Sequence, residues 1–201
     1  SQQFDRNVLE RKLIGFCDNK GKPMYKRTVV PILNRDNSKV LACQGRSIYP
    51  KCKKCGSYHY REFDCPQVFF PKWKASIGFC TDMCLYNYLS AKRNIVTKKA
   101  LFITESVGNV LRQLEFGIEN TVATFGTQFS NFQKEMILNS GAEVYIYIRD
   151  AGEAGEMAAL RVKESLGEKC IVPNLDIHDD IAKETKQFYE KRILTELREW
   201  I

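Results

Sequence analysis

Hydrophobic and polar positions follow two regimes along this chain. Between residues 98 and 175, short β-branched runs alternate with stretches of helical period. KKALFIT reads as a strand, and SVGNVLRQLEFG as an amphipathic helix with Val110, Leu111 and Leu114 on one face and a stop at Gly117. NTVATFG is a second strand, and SNFQKEMILNSG a capped helix ending at Gly141. AEVYIYIRD, GEAGEMAALRVKESLG and KCIVPNL follow as strand, helix and short strand. This βαβαβαβ order predicts a mostly parallel sheet with helices on its faces. A last helix is predicted from about Ile181 to Trp200. Upstream, residues 24–50 predict a β-rich meander: TVVPIL and KVLACQ are strands separated by the turn-forming NRDNS. Pro31 inside the first run predicts a free edge or a bulge at that point.

Composition adds little to this picture, but charge does. The chain has 201 residues, 44% hydrophobic and 27% charged, which is ordinary for a globular protein. No window offers the long uncharged apolar run that a membrane span needs, and SQQFDRNVLERK is too polar for a secretory leader. The expectation is a cytoplasmic protein with no membrane partner. The net charge of +7 is uneven: basic clusters at Lys20–Lys22, Lys26–Arg27, Lys51–Lys54, Lys72–Lys74 and Lys92–Lys99 precede a more acidic final third. A polyanion partner and a merely solvated basic surface account for this equally well.

Eight cysteines in such a chain argue against a disulfide framework. Cys17, Cys43 and Cys170 stand among apolar residues and read as small buried hydrophobes. Cys52-x2-Cys55-x3-His59-x5-Cys65 supplies four soft or borderline donors, which a structural zinc site requires in a closed tetrahedron. The segment 51–66 is too polar for a core of its own, so metal would supply what burial cannot. An alternative set pairs Cys52 and Cys55 with Cys80 and Cys84. Tyr58, Tyr60, Phe69, Phe70 and Trp73 interleave with basic residues here; core or loop anchoring is the plainer use for them, base stacking the functional one.

In parallel sheets, ligands bind beyond the carboxyl ends of strands. Glu105 follows ALFIT, and Asp150 follows VYIYIR. Asp176, Asp179 and Asp180 follow CIVPNL. Carboxylates converging there suit Mg²⁺ or Mn²⁺, which take hard oxygen ligands and leave the shell open to water and phosphate. Taken singly, each acid reads equally as a helix N-terminal residue stabilised by the dipole. His178, within the last acidic group, reads as a surface histidine.

A resemblance sharpens the reading. KKALFITESVGNVLRQLEFGIENTVATFGT resembles the first toprim motif, and VYIYIRDAGEAGEMAA the second. Upstream, KPMYKRTVVPILNRDNSKVLACQGRSI and PKWKASIGFCTDMCLYNYLSAK resemble segments that precede the toprim unit in DnaG-type primases, most of all phage-encoded ones, which also carry a small Cys/His insert. The resemblance implies an α/β fold: a toprim-type, mostly parallel sheet flanked by helices, preceded by a smaller β-rich basic subdomain with a zinc-binding insert. The expected division is 1–97 for the basic subdomain with its insert at 51–66, 98–180 for the toprim domain, and 181–201 for the closing helix. It implies primer synthesis on single-stranded DNA from nucleoside triphosphates, with a replicative helicase as a further partner. By motif, Glu105, Asp150, Asp176 and Asp179 would hold Mg²⁺ or Mn²⁺. Arg27, Arg46, Lys72 and Lys74 would bind nucleotide or template phosphates, and zinc would be structural. The chain is expected to be a catalytic core, or a subunit that takes its template module from partners.

The departures fall at catalytic positions. Gly152 stands where the second Asp of Asp-x-Asp is usual, Ser106 where Gly is, and Asn109 where an acid is. A weakened or one-metal centre, an inactivated one, and an engineered change at 152 all stay open. So do two other functions: a toprim nuclease, and a non-catalytic nucleic-acid-binding module.

Overall fold

The apolar runs pair into two separate sheets. The computed structural model describes residues 4–34, 38–60, 65–175, 177 and 181–201. Two compact units emerge, one formed by 9–79 and the other by 1–8 with 80–201.

The unit 9–79 is built on an antiparallel meander in the order β1-β2-β3-β4, with β1 at Gly15–Cys17, β2 at Arg27–Leu33, β3 at Val40–Ser47 and β4 at Trp73–Ala75. Pro31 meets both expectations for it. β1 pairs only as far as Val29, so no neighbour on that side needs the missing N–H, and the β2–β3 register shifts between Ile32 and Leu33. Cys17 and Cys43, expected to be buried, are only half-buried, because both lie on this small two-sided sheet; Cys170 is buried as expected.

The other unit carries a fully parallel sheet in the order β6-β5-β7-β8: β5 at Ala100–Thr104, β6 at Thr121–Ala123, β7 at Val144–Tyr147 and β8 at Cys170–Ile171. Every residue of β5 is buried, as strands covered on both faces must be. The first helix, α1, spans Arg6–Arg11, and just before β5 α2 (Tyr88–Lys98) lays Ala91 and Ile95 into the core shared with Leu101, Ile103 and Tyr147. α3 (Val107–Glu115) links β5 to β6 and buries Val110, Leu111 and Leu114, the face read from the sequence. α4 (Asn131–Leu138) opens with a capping box between Ser130 and Gln133. α5 (Glu153–Leu166) buries Ala158, Ala159 and Val162 against the same core as α2.

The chain's end departs from expectation. In place of one helix over 181–200 there is a 3-10 turn at Ile181–Lys183, then a fresh start capped by Thr185. A short helix, Lys186–Phe188, passes through a π-helical stretch, Tyr189–Ile193, into Leu194–Glu196. Tyr189, Ile193 and Leu197 are all buried on the second face of the sheet. Their four-residue spacing sets the three on one side of the segment. Tyr189 stacks on Phe116, ring centroids 4.3 Å apart.

Arg27 has a place in the fold that its charge does not announce. It is 4% exposed, and its guanidinium donates to the Gly45 carbonyl at 2.9 Å, the Lys72 carbonyl at 3.2 Å and the Pro71 carbonyl at 2.9 Å. It clips the entry to β4 onto the meander. Arg27→Met should therefore destabilise this unit by about 2–3 kcal/mol, since buried carbonyls lose charge-assisted bonds. Lys72→Met, on an exposed side chain, should change stability by less than about 0.5 kcal/mol. Urea denaturation of both variants measures the difference.

Candidate active site and Cys/His cluster

β5 is central, and the chain leaves it in opposite directions, to β6 through α3 and past it to β7 through α4. The carboxyl ends of β5 and β7 therefore border a topological switch point, where doubly wound sheets open a crevice. Glu105 is the first residue after β5 and is 8% exposed. Asp150 lies three residues past β7 and is half-buried. The pairing of β5 with β7 brings both acids to one end of the sheet.

Three residues surround these acids. Asn109, fully buried in the first turn of α3, donates its side-chain N–H to Asp150 Oδ1 at 2.9 Å. Its own Oδ1 is buried without a hydrogen-bond partner among the described residues. Tyr147, the last residue of β7, is held protonated by burial first, then by the charges of Glu105 and Asp150 and a hydrogen bond to Glu105. Arg149 places its guanidinium by the Asp150 carbonyl, 3.4 Å away, and 3.7 Å from Glu156. Two carboxylates and one buried amide oxygen are hard donors, the set that Mg²⁺ or Mn²⁺ takes. Asp176, His178, Asp179 and Asp180 lie outside the described residues.

The three departures from the toprim pattern acquire local reasons. Ser106 is the N-cap of α3, its hydroxyl accepting from the Asn109 N–H at 3.2 Å. Asn109 bridges to Asp150 by a hydrogen bond that a second carboxylate could not donate. Gly152 precedes α5 with φ 86° and ψ 173°, a conformation open essentially to glycine alone. A side chain there would meet open space, so backbone strain and not crowding excludes it.

Gly155 is constrained in the opposite way. It sits in the first turn of α5, and a Cβ there would overlap the Asp150 carbonyl oxygen and stand 2.8 Å from its carbon. Helix α5 thus touches the backbone that presents Asp150. The sequence hinted at this only through a glycine inside a helical run. Tyr147 was also missed, and Asn109 was read only as a missing acid, since each acts through a partner distant in sequence.

In the unit 9–79, the four basic residues singled out by motif do not form one group. Arg27 is buried in the frame. Register sets Arg46 opposite Trp73 on one face of the meander, and Lys74 opposite Gly45 on the other. Lys72, two residues from Lys74, shares its side; Arg46, Lys72 and Lys74 are all exposed.

The Cys/His insert does gather. The ligand atoms of Cys52, Cys55, His59 and Cys65 all lie within 4.8 Å of one another. Cys52 Sγ is 3.8 Å from Cys65 Sγ, and Cys55 Sγ is 3.3 Å from His59 Nε2. A tetrahedron with Zn–S bonds of about 2.3 Å has edges of about 3.8 Å, so the donors are spaced for that ion. The backbone N–H of Cys55, helped by that of Lys54, draws the Cys52 thiol down to about 7, although burial opposes it. Burial, and then its neighbouring thiols, push Cys65 up to about 11. Cys80 and Cys84 belong to no such group among the described residues.

Gly155→Ala should displace Asp150 and α5 together, at a cost of about 2–3 kcal/mol for the forced shift. Gly152→Ala should cost about 1–3 kcal/mol through strain alone. Thermal denaturation reads both, and the amide shift of Asp150 should move further in the first variant.

Comparison with known proteins agrees with this architecture. The Toprim-like family model matches residues 102–184. A DNA primase of Chlamydia muridarum (strain MoPn / Nigg) is 27% identical over 93 residues, which is 46% of this chain and 15% of that protein. Among solved structures, the Aquifex aeolicus primase (zinc binding and RNA polymerase domains) aligns over 98% of this chain and 52% of its own, with TM-score 0.74 and 18% identity. The RNA polymerase domain of Mycobacterium tuberculosis primase DnaG aligns over 100% of this chain and 72% of its own, with TM-score 0.68 and 17% identity. A DnaG primase catalytic domain bound to ssDNA aligns over 96% and 70%, with TM-score 0.65 and 18% identity. The chain thus spans about half the Aquifex structure and a small part of the Chlamydia protein. Residues 102–184 are thus similar to the Toprim-like family, and the chain as a whole shares its fold with solved DnaG-type primase catalytic cores.

Proposed function

We propose that this chain catalyses primase-type nucleotidyl transfer, joining ribonucleotides into short primers on single-stranded DNA. The observation that carries the reading is the pair Glu105 and Asp150 at the carboxyl ends of adjacent parallel strands, with Asp150 held by Asn109. Glu105 and Asp150, with Asp176 and Asp179 from the acidic segment, would hold Mg²⁺ or Mn²⁺. The bound ion would stabilise the attacking 3′-oxygen and the leaving oxygen of the triphosphate. Tyr147 keeps Glu105 in place, and Asn109 keeps Asp150 in place. Arg46, Lys72 and Lys74 would bind template or nucleotide phosphates, Arg as a fork and Lys as a point charge. Zinc would be held by Cys52, Cys55, His59 and Cys65 as a closed, structural ion. No helix among the described residues is long and apolar enough to cross a membrane, which suits a cytoplasmic role beside a replicative helicase.

A second reading is favoured by Gly152. Its backbone conformation leaves no place for the second acid of the motif without strain. Under this reading the chain binds nucleic acid without catalysis. A toprim nuclease would need the same ion but water as nucleophile, and the meander that precedes the toprim domain counts against it.

Incubating the protein with single-stranded DNA, labelled ribonucleoside triphosphates and Mg²⁺ or Mn²⁺ separates these readings. Short RNA products lost in Glu105→Ala, by about a hundredfold or more, are the expected result. Cleaved DNA without RNA would transfer the reading to the nuclease. Salt-sensitive DNA binding alone would transfer it to the binding module. Metal analysis provides a separate check: Cys52→Ala and Cys65→Ala should lose the bound zinc, while Cys80→Ala and Cys84→Ala keep it. Since the ligands bind as thiolates, zinc retention should fall as pH is lowered, not as it is raised.

A further inference from the structure

The Cys/His insert carries more exposed aromatic and apolar surface than a structural clip requires. Its backbone is fixed on both sides. Lys51 bridges Tyr58, the Tyr58 N–H donates to the Phe70 carbonyl at 2.9 Å, and the Phe70 N–H donates to Ser57 Oγ at 2.7 Å. Yet the side chains on this rigid frame face water: Tyr60 is 72% exposed, Val68 67%, Phe69 62% and Phe70 43%. Scattered exposed apolar residues are normal, but four between residues 60 and 70, on the insert and the short segment after it, mark a surface that meets a partner.

Charge identifies the partner. Residues 9–79 contain 15 Lys and Arg against 5 Asp and Glu, whereas the rest of the chain has 16 against 19. Lys51, Lys53 and Lys54 are exposed within the insert, and the sequence from 51 to 66 holds four basic residues against two acids, Glu62 and Asp64. Rings on a fixed backbone, interleaved with lysines, match what a single strand needs: flat faces for the bases and point charges for the phosphates. An anionic lipid surface would also meet the lysines. However, a membrane-surface element ordinarily offers an amphipathic helix, and this insert contains none among its described residues.

We propose that the exposed edge of the Cys/His insert, centred on Tyr60, Phe69 and Phe70 with Lys53 and Lys54 beside it, is a stacking platform for single-stranded DNA. The proposal rests on the nucleic-acid reading above and adds a second place of contact, apart from the toprim carboxylates. Stacking is tolerant of sequence, so the platform holds a strand without selecting it. The insert's own ion keeps the platform rigid, and the bases lose little freedom that the protein must also lose.

The test is fluorescence anisotropy of labelled oligo(dT) with the full, zinc-loaded chain, repeated across a salt series, with primer synthesis measured in parallel. Phe69 is exposed, so its variants should keep fold and zinc. Phe69→Ala should weaken binding about tenfold, in the range that loss of one base–aromatic stack produces, and leave the salt dependence unchanged. Phe69→Leu should weaken it nearly as much, because bulk without a π face does not stack. The double change Lys53→Ala and Lys54→Ala should flatten the logarithmic salt slope by about 0.7 per lysine. Wild-type affinity in both Phe69 variants, or full affinity in Phe69→Leu with loss only in Phe69→Ala, overturns the platform. So does unchanged DNA binding with lost flotation on phosphatidylglycerol vesicles, which would make lipid the occupant. If wild type binds and primes while the Phe69 variants do both equally, the platform alone falls. If wild type binds no oligo(dT), the proposed function falls with it.

Discussion

The burial of β5 on both faces is the constraint from which the rest of the parallel-sheet unit follows. A strand with no solvent face can place a charge only where it ends, and Glu105 is the residue at that end. Since β6 and β7 flank β5 and the chain reaches them in opposite directions, the sheet parts just where β5 and β7 finish. Asp150 arrives there from β7. Tyr147 and Asn109 then solve the electrostatic problem that two nearby carboxylates create. One offers an O–H to Glu105, the other an N–H to Asp150.

The unit built on the meander solves a different problem. A small antiparallel sheet cannot bury much, so it is fastened by polar links. Arg27 joins three carbonyls from two segments, and the Cys/His cluster closes a loop that has no core. In both cases a group that looks functional by type is, in place, architectural. The exposed basic residues around these links, Arg46, Lys72 and Lys74, remain available to a polyanion.

Much of this was legible in the sequence, for identifiable reasons. The alternation of β-branched and helical periods gave the parallel sheet, and the buried face of α3 followed from the spacing of Val110, Leu111 and Leu114. Ser130 and Gln133 stand at capping-box spacing. The Cys/His spacing pointed to a compact ligand group, although sequence alone left Cys80 and Cys84 in contention. What escaped were relations that spacing does not encode. Arg27 meets carbonyls 18, 44 and 45 residues away, so its burial could not be foreseen from a basic cluster. The C-terminal segment reads as one helix because its composition is helical throughout. Nothing in that composition announces the fresh start at Thr185 or the π-helical stretch Tyr189–Ile193, through which Tyr189 packs on Phe116 while Ile193 and Leu197 are buried. The side on which Arg46 falls, opposite to that of Lys74, depends on register with β4, a strand too short to be read as one.

The backbone at Gly152 limits what a single substitution there can do. At φ 86° and ψ 173° the residue lies outside the region that an aspartate shares without strain. An aspartate placed there would either carry that strain, about 1–3 kcal/mol, or draw the turn into another shape and aim its carboxylate from a new place. Side chain and turn are thus one choice at this site, and a carboxylate there has to be designed together with the backbone that presents it.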